Sequence, residues 1–362
     1  MNLMSACFIT ISHKIYWIVG VIFRTDRFRT EGYRFSRMSS ASCVNLKFFD
    51  ILICIVTLIF FFNGCSLKRL AVNSLADALI SESSSVYATD DDPELVGEAL
   101  PFALKTTESL LQITPKHKGL LITAASGFVQ YAHAYVLWPA NSLESHDLAV
   151  ARKGRARAKR LFLRAREYGL RALELSSPGI TQALINDPLA AVAKLDRADV
   201  PALYWTGAAW GSAISVAKDD MALVGDVPIV RSLLQRALEL NESWGDGAIH
   251  EFFLVFEAGR SEADGGGIEP AETHVARAME LNGGRSITPL VSLAETVCVR
   301  QQNRNRFKSL LLKALAFDVN LYPEKRLSNI LAQRRAEELL DNIDELFFVD
   351  DEIKEKKEPH TN

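Results

Sequence analysis

Carboxylates, imidazoles and thiols are the side chains best able to do chemistry, and in this sequence they rarely gather. Asp90-Asp91-Asp92 is the densest set of oxygen ligands. A calcium loop needs further ligands, usually with a glycine at its turn and a distal glutamate. Here Pro93-Glu94-Leu95 follows instead. That order marks a helix start: Asp92 caps, Pro93 suits the first helical position, and Glu94 meets the positive end of the helix dipole. The triplet therefore reads as a cap and not as a metal site. Beyond residue 65 the histidines are His117, His133, His146, His250, His274 and His360. None stands in a His-Glu-x-x-His pattern, and His250-Glu251 is isolated. His133, near Phe128 and Tyr131, reads as an interior or groove residue and not as a ligand. There is no Gly-x-Ser-x-Gly elbow, phosphate-binding lysine loop or Cys/His cluster. Asp264-Gly265-Gly266-Gly267 follows no strand pattern, so it is a connector and not a phosphate cradle. No cofactor is implied. These absences argue for a non-catalytic protein, with an enzyme assembled from distant residues as the alternative.

Cys65 is the one residue placed for covalent modification. Ile51 to Phe62 is an unbroken apolar run of 12 residues behind Lys47. That is too short to span a bilayer and fits the apolar core of a secretion signal. Phe62-Asn63-Gly64-Cys65 then resembles the lipobox of bacterial lipoprotein signals. On that reading Cys65 is acylated and anchors the chain to a membrane. Ser66 after it is more typical of outer-membrane retention. Residues 1–64 form a leader. Met38 offers a compact start, making 1–37 an overextended beginning and 38–64 the signal peptide. Cys7, Cys43, Cys54 and Cys65 all lie in or at the end of this leader, which leaves Cys298 without an intrachain partner. It reads as a small buried hydrophobe. From Cys65 onward 34 Lys/Arg face 41 Asp/Glu, a net charge of −7, which with export argues against nucleic acid as a partner.

The elements that would position any site are helices. Arg236-Ala237-Leu238-Glu239-Leu240-Asn241 recurs as Arg171–Ser176, Arg277–Asn282 and Lys313–Asp318, with a looser copy at Glu108–Pro115. Each reads as the last turns of a helix stopped by Ser-Pro, Asn, Gly-Gly or Thr-Pro. The later copies are spaced by 41 and 36 residues, near the ~34 of a helical-hairpin repeat. The earlier ones require insertions at 139–153 and 178–196. No alternation typical of strands appears. The expectation is an all-α fold of TPR-like helical-hairpin repeats, an α-solenoid with inserted helices, over 65–349, followed by a disordered charged tail at 350–362. A first helix is expected within Ser66–Ser83. On the helix after Asp92, Leu95, Ala99, Phe102, Ala103, Thr106, Leu110 and Ile113 make one apolar face. In the 245–258 helix, Ala248, Phe252 and Val255 point inward.

Aromatic residues in these helices are the candidates for a binding surface. Phe128, Tyr131 and Tyr135 form a stripe at helical spacing after the small residues Ala124, Ala125, Ser126 and Gly127. Such stripes are usually core. Trp138, Trp205 and Trp210 join them as candidate groove or pore lining. The 152–171 stretch carries nine Lys/Arg, a solvated face or a patch for an acidic partner or anionic lipid.

Tyr87–Val96, Ala99-Leu100-Pro101-Phe102-Ala103-Leu104-Lys105 and Ala124-Ala125-Ser126-Gly127-Phe128 together resemble the T component of tetratricopeptide-repeat-associated TRAP transporters. The resemblance extends from about Cys65 to Leu346, with 87–128 its specific part. It implies a periplasmic lipoprotein without catalysis. It also implies association with the substrate-binding protein of a tripartite ATP-independent periplasmic transporter, and assembly as a homotrimer around a central pore. The implied cargo is a small organic acid or a more hydrophobic ligand. A TPR scaffold for envelope assembly is the alternative role.

Overall fold

The computed structural model describes residues 86–348 together with Asn73 and Ser74. The leader, Cys65, the rest of 66–83 and the tail lie outside the described residues. Among the described residues there are helices and turns and no strand.

Ten helices carry the architecture: α1 (Pro93–Ile113), α2 (Lys118–Ala132), α3 (Leu148–Ser176), α4 (Val200–Ser215), α5 (Val227–Leu240), α6 (Ala248–Ala258), α7 (Ile268–Asn282), α8 (Thr288–Leu293), α9 (Arg304–Leu315) and α10 (Arg326–Asp341). Their starts follow local chemistry. The Asp92 side chain accepts from the Leu95 N–H with Pro93 next, and Asp147 accepts from Ala149 and Val150. Asp90 is engaged too, accepting from the Asp92 N–H at 2.8 Å, so two of the three aspartates are tied to this turn. The insertion at 178–196 holds two short helices, Ile180–Asn186 and Pro188–Val192.

Each helix packs on its chain neighbours, α1 on α2, α2 on α3, α3 on α4 and so on to α9 on α10. One apolar core runs from Leu104 to Phe253 and a second from Ile287 to Phe347. A smaller group that includes Leu254, Val275, Leu293 and Val297 lies among α6, α7 and the α8 region. On α3, Phe162, Ala165, Gly169, Ala172 and Leu173 are buried as their spacing requires. The stretch Lys118–Ser142 is long and apolar enough to cross a membrane, but it packs here between α1, α3 and α4 as a core helix.

Two apolar faces differ from expectation. On α1 the buried side is Val96, Leu104 and Leu111, while Leu95, Phe102 and Ile113 are exposed. The helix is turned by about one residue, roughly 100°. Glycine notches set this rotation. A side chain at Gly127 would meet Leu104 Cδ2 at 2.7 Å, and one at Gly97 would meet the Tyr135 ring at 2.6 Å. On α6, Ile249, Phe253 and Leu254 are buried and Val255 is exposed. That helix is apolar on nearly every side, so periodicity does not choose its face.

The first and last helices also touch. Arg334 on α10 pairs with Glu94 on α1, and Arg326 donates to the Thr89 carbonyl at 3.1 Å. Glu338 accepts from Trp138 and Ser142, which follow α2. The two ends of the run of helices are thus joined by polar contacts.

Candidate functional site

Several polar and aromatic side chains in this fold are crowded by protein without being sealed from solvent. His133 lies just after α2, where the backbone opens into a π turn, His133–Leu137, ahead of Pro139. Proline has no N–H for the preceding turn and its ring collides with that turn's carbonyl, and a wider turn absorbs both. The π turn presents an exposed His133 whose Nε2 is 2.8 Å from Ser212 Oγ on α4 and whose ring is 4.7 Å from that of Phe162. Desolvation pulls its pKa down to about 4, so the imidazole is neutral. A second π turn, Ala294–Cys298, follows α8 and carries Glu295, which binds Arg335 of α10.

Further along, Tyr204 on α4 stacks at 4.6 Å on Trp244 and meets Trp205 edge-on at 4.9 Å, all three half-buried. Glu251 of α6 is close enough to Tyr204 for its charge to help raise the phenol's pKa, after burial. Glu251 is itself half-buried, with no side-chain hydrogen bond or ion pair among the described residues. Burial pushes its pKa up to about 7, with Lys325 opposing.

Its neighbour His250 turns the other way. His250 Nδ1 is 2.9 Å from His274 Nδ1 on α7, and its Nε2 is 3.2 Å from Glu242. Arg277 grips Glu242 with two bonds of 2.8 Å and holds its carboxyl down at about 2. An ionised Glu242 only accepts, so His250 donates from Nε2 and receives the His274 Nδ1–H. This pair clamps α6 to α7. Among the described residues no three His, Cys, Asp or Glu side chains gather as a metal cage.

The aromatic candidates divide. Phe128 and Trp210 are core residues, 4% and 5% exposed. Phe128 lies parallel to Tyr168 at 6.0 Å, and Trp210 donates to Asp226 at 3.0 Å. Tyr131 and Tyr135 stack at 5.8 Å, half-buried, and Trp138 is tied to Glu338. Trp205 alone of the six lies in the Tyr204–Trp244 group. The basic stretch 152–171 resolves into a ladder. Arg157, Arg164 and Arg171, seven residues apart, lie over the rings of Tyr131, Phe128 and Tyr168 at 5.7, 5.0 and 5.3 Å. Lys159 and Arg155 pair with Asp220 and Glu144. Most of these cations therefore serve the fold. Tyr204, Trp244 and Glu251 were not singled out by spacing. The available signal was a glutamate set inside the apolar run Ala248–Ala258.

Comparison with known proteins gives the family of the chain. An uncharacterised protein of Treponema pallidum (strain Nichols) is 32% identical over 302 residues, covering 79% of this chain and 94% of that protein. A family model described as TRAP transporter T-component matches residues 89–347, nearly all of the described fold. On those two matches, the chain belongs to the TRAP transporter T-component family.

Proposed function

We propose that this protein is a non-catalytic, lipid-anchored periplasmic component of a TRAP-type uptake system that binds the transporter's substrate-binding protein and handles its ligand. Family membership gives the transport role. The observation supporting the ligand-handling part is the group of half-buried rings Tyr204, Trp205 and Trp244, together with the half-buried Glu251, whose carboxylate has no side-chain hydrogen bond or ion pair among the described residues. Rigid helical scaffolds with concave faces suit protein partners and ligands alike. Energy for uptake comes from the membrane components. Acylation at Cys65 would hold the chain at the outer membrane, and the chain would assemble as a homotrimer.

Co-purification from detergent extracts tests the partnership: the substrate-binding protein encoded with the transporter should elute with the tagged chain. Its absence, with the chain folded, would overturn the assignment. Fractionation tests the anchor. Cys65→Ser should move the protein from the membrane to the soluble fraction, and unchanged membrane association would refute acylation at that thiol.

A further inference from the structure

The cations of α3 outnumber the anions that meet them. The helix carries nine Lys/Arg against Glu167 and Glu174. Arg155, Lys159 and Arg166 pair with Glu144, Asp220 and Glu167. Arg164 shares Glu108 with Lys105, which sets two cations on one carboxylate. Arg157 and Arg171 donate only to neutral oxygens, the Tyr131 hydroxyl and the Pro115 carbonyl, both at 3.2 Å. Arg152, Lys153 and Arg160 are exposed, with no hydrogen bond or ion pair among the described residues.

Five of these side chains form one ridge. Lys153, Arg157, Arg160, Arg164 and Arg171 are all exposed. At roughly 100° per residue they fall within about 60° of one another around the helix, over an axial length of about 27 Å. Solvated helix faces usually interleave signs, and like charges three or four residues apart work against the helix. Here Lys153 with Arg157, Arg157 with Arg160, and Arg160 with Arg164 keep that repulsion. Four of the five are arginines, whose planar forks bind carboxylates through two parallel bonds. The rings of Tyr131, Phe128 and Tyr168 lie under Arg157, Arg164 and Arg171. These forks, about 10.5 Å apart along the axis, are therefore held in register before a partner arrives. A fluid anionic bilayer has no use for register, and it would also meet the excess acid of the rest of the chain. A rigid row of carboxylates on a protein matches both the line of charge and its spacing.

We propose that the α3 ridge from Lys153 to Arg171 is the docking surface for an acidic face of the transporter's substrate-binding protein. The assignment rests on the reading that the chain binds that protein, and it says where. Titration of the purified chain with the purified binding protein tests it. Affinity should fall as salt rises from about 50 to about 300 mM. Lys153→Glu with Arg160→Glu should weaken binding by about tenfold or more, since repulsion replaces attraction at two points of the ridge. Both side chains lack partners among the described residues, so the circular dichroism melt should stay unchanged. The same charge reversal at Lys308 and Lys313, exposed and unpaired on α9, should change affinity by less than about twofold. Should the ridge variant fail to fold, Lys153→Gln with Arg160→Gln removes the charge alone and should weaken binding by about threefold. Full affinity in a folded ridge variant would overturn the docking site and leave the partnership standing. No binding by the unaltered chain would overturn both. Two other outcomes would also overturn the assignment if affinity for the binding protein stayed unchanged. One is ridge-dependent binding of the unacylated Cys65→Ser chain to phosphatidylglycerol vesicles, which would give the ridge to a membrane. The other is a ridge variant whose own oligomer dissociates in sedimentation, which would give it to a second copy.

Discussion

Gly169 shows how closely single residues set this fold. It lies on α3 where α4 crosses, and an added Cβ would fall 3.1 Å from the Thr206 Cα, with Thr206 Oγ1 nearer still. Thr206 is fully buried and its hydroxyl donates to the Ala202 carbonyl at 2.6 Å, so it cannot swing away. In an open helix, glycine to alanine would gain about 0.5–1 kcal/mol. Here the helices must separate, and Gly169→Ala should cost about 1–3 kcal/mol as overpacking. Urea unfolding checks this, and a midpoint that rises would show that the crossing has room. Small residues were legible in the sequence at Gly127 on α2, where a Cβ would meet Leu104 Cδ2 at 2.7 Å, and the structure adds Gly207 on α4, where a Cβ would meet Leu234 at 2.7 Å. Glu251 was not legible in the same way. Its role depends on what surrounds it, and a lone glutamate beside a histidine has no spacing that separates a surface group from an inner one.

Helix boundaries are readable where caps are local: Asp92 caps as its side chain allows, while the caps at Asp147 and Asn303 emerge only in the structure. Which face a helix buries is less local, as α1 shows, where two adjacent apolar stripes compete and the Gly97 and Gly127 notches decide. The sequence made 245–258 and 270–281 one helical pair, and α6 does pack on α7; the polar clamp between them lies beyond any pattern, since it needs two imidazoles 24 residues apart to meet at Nδ1. That pair predicts a pH response. His274 is pulled down to about 4 by burial and then by His250, and His250 is lowered by burial. Both are neutral in the folded chain, while the unfolded chain takes up protons below about 6.5. Stability is therefore full above about 6.5 and declines as pH falls toward 4, with His133 acting in the same direction. Glu251 opposes this, since its raised pKa favours the folded state at low pH and that contribution fades between about 4.5 and 7. His274→Asn should flatten the acid-side decline by on the order of 1 kcal/mol after allowance for solvent screening. Urea midpoints taken across pH 4.5 to 7.5 test it, and parallel curves for the two proteins would show that the pair carries no linkage.

At the scale of the molecule, the contacts that join the two ends were invisible in the sequence, because residues more than 190 positions apart leave no periodic trace. They are also polar where the helix-to-helix packing is apolar: Arg334 with Glu94, Arg326 with the Thr89 carbonyl, and Glu338 with Trp138 and Ser142. Glu338 is the most committed of these, since it also binds Arg335 at 2.7 Å, while Arg335 holds Glu295 of the second π turn. Removing its carboxylate strands the Trp138 indole N–H, while the Ser142 hydroxyl keeps the Trp138 carbonyl at 3.2 Å, a loss of about 1–3 kcal/mol for a donor left without an acceptor. The core from Leu104 to Phe253 is built without α10, so that loss should stay at the seam. Glu338→Ala should therefore speed hydrogen exchange in Arg326–Asp341 and Trp138–Ser142 while α4 and α5 keep their protection. Exchange that quickens equally in α4 and α5 would mean that the whole fold is destabilised. Unchanged exchange at the seam would mean that the apolar cores alone hold the ends in place.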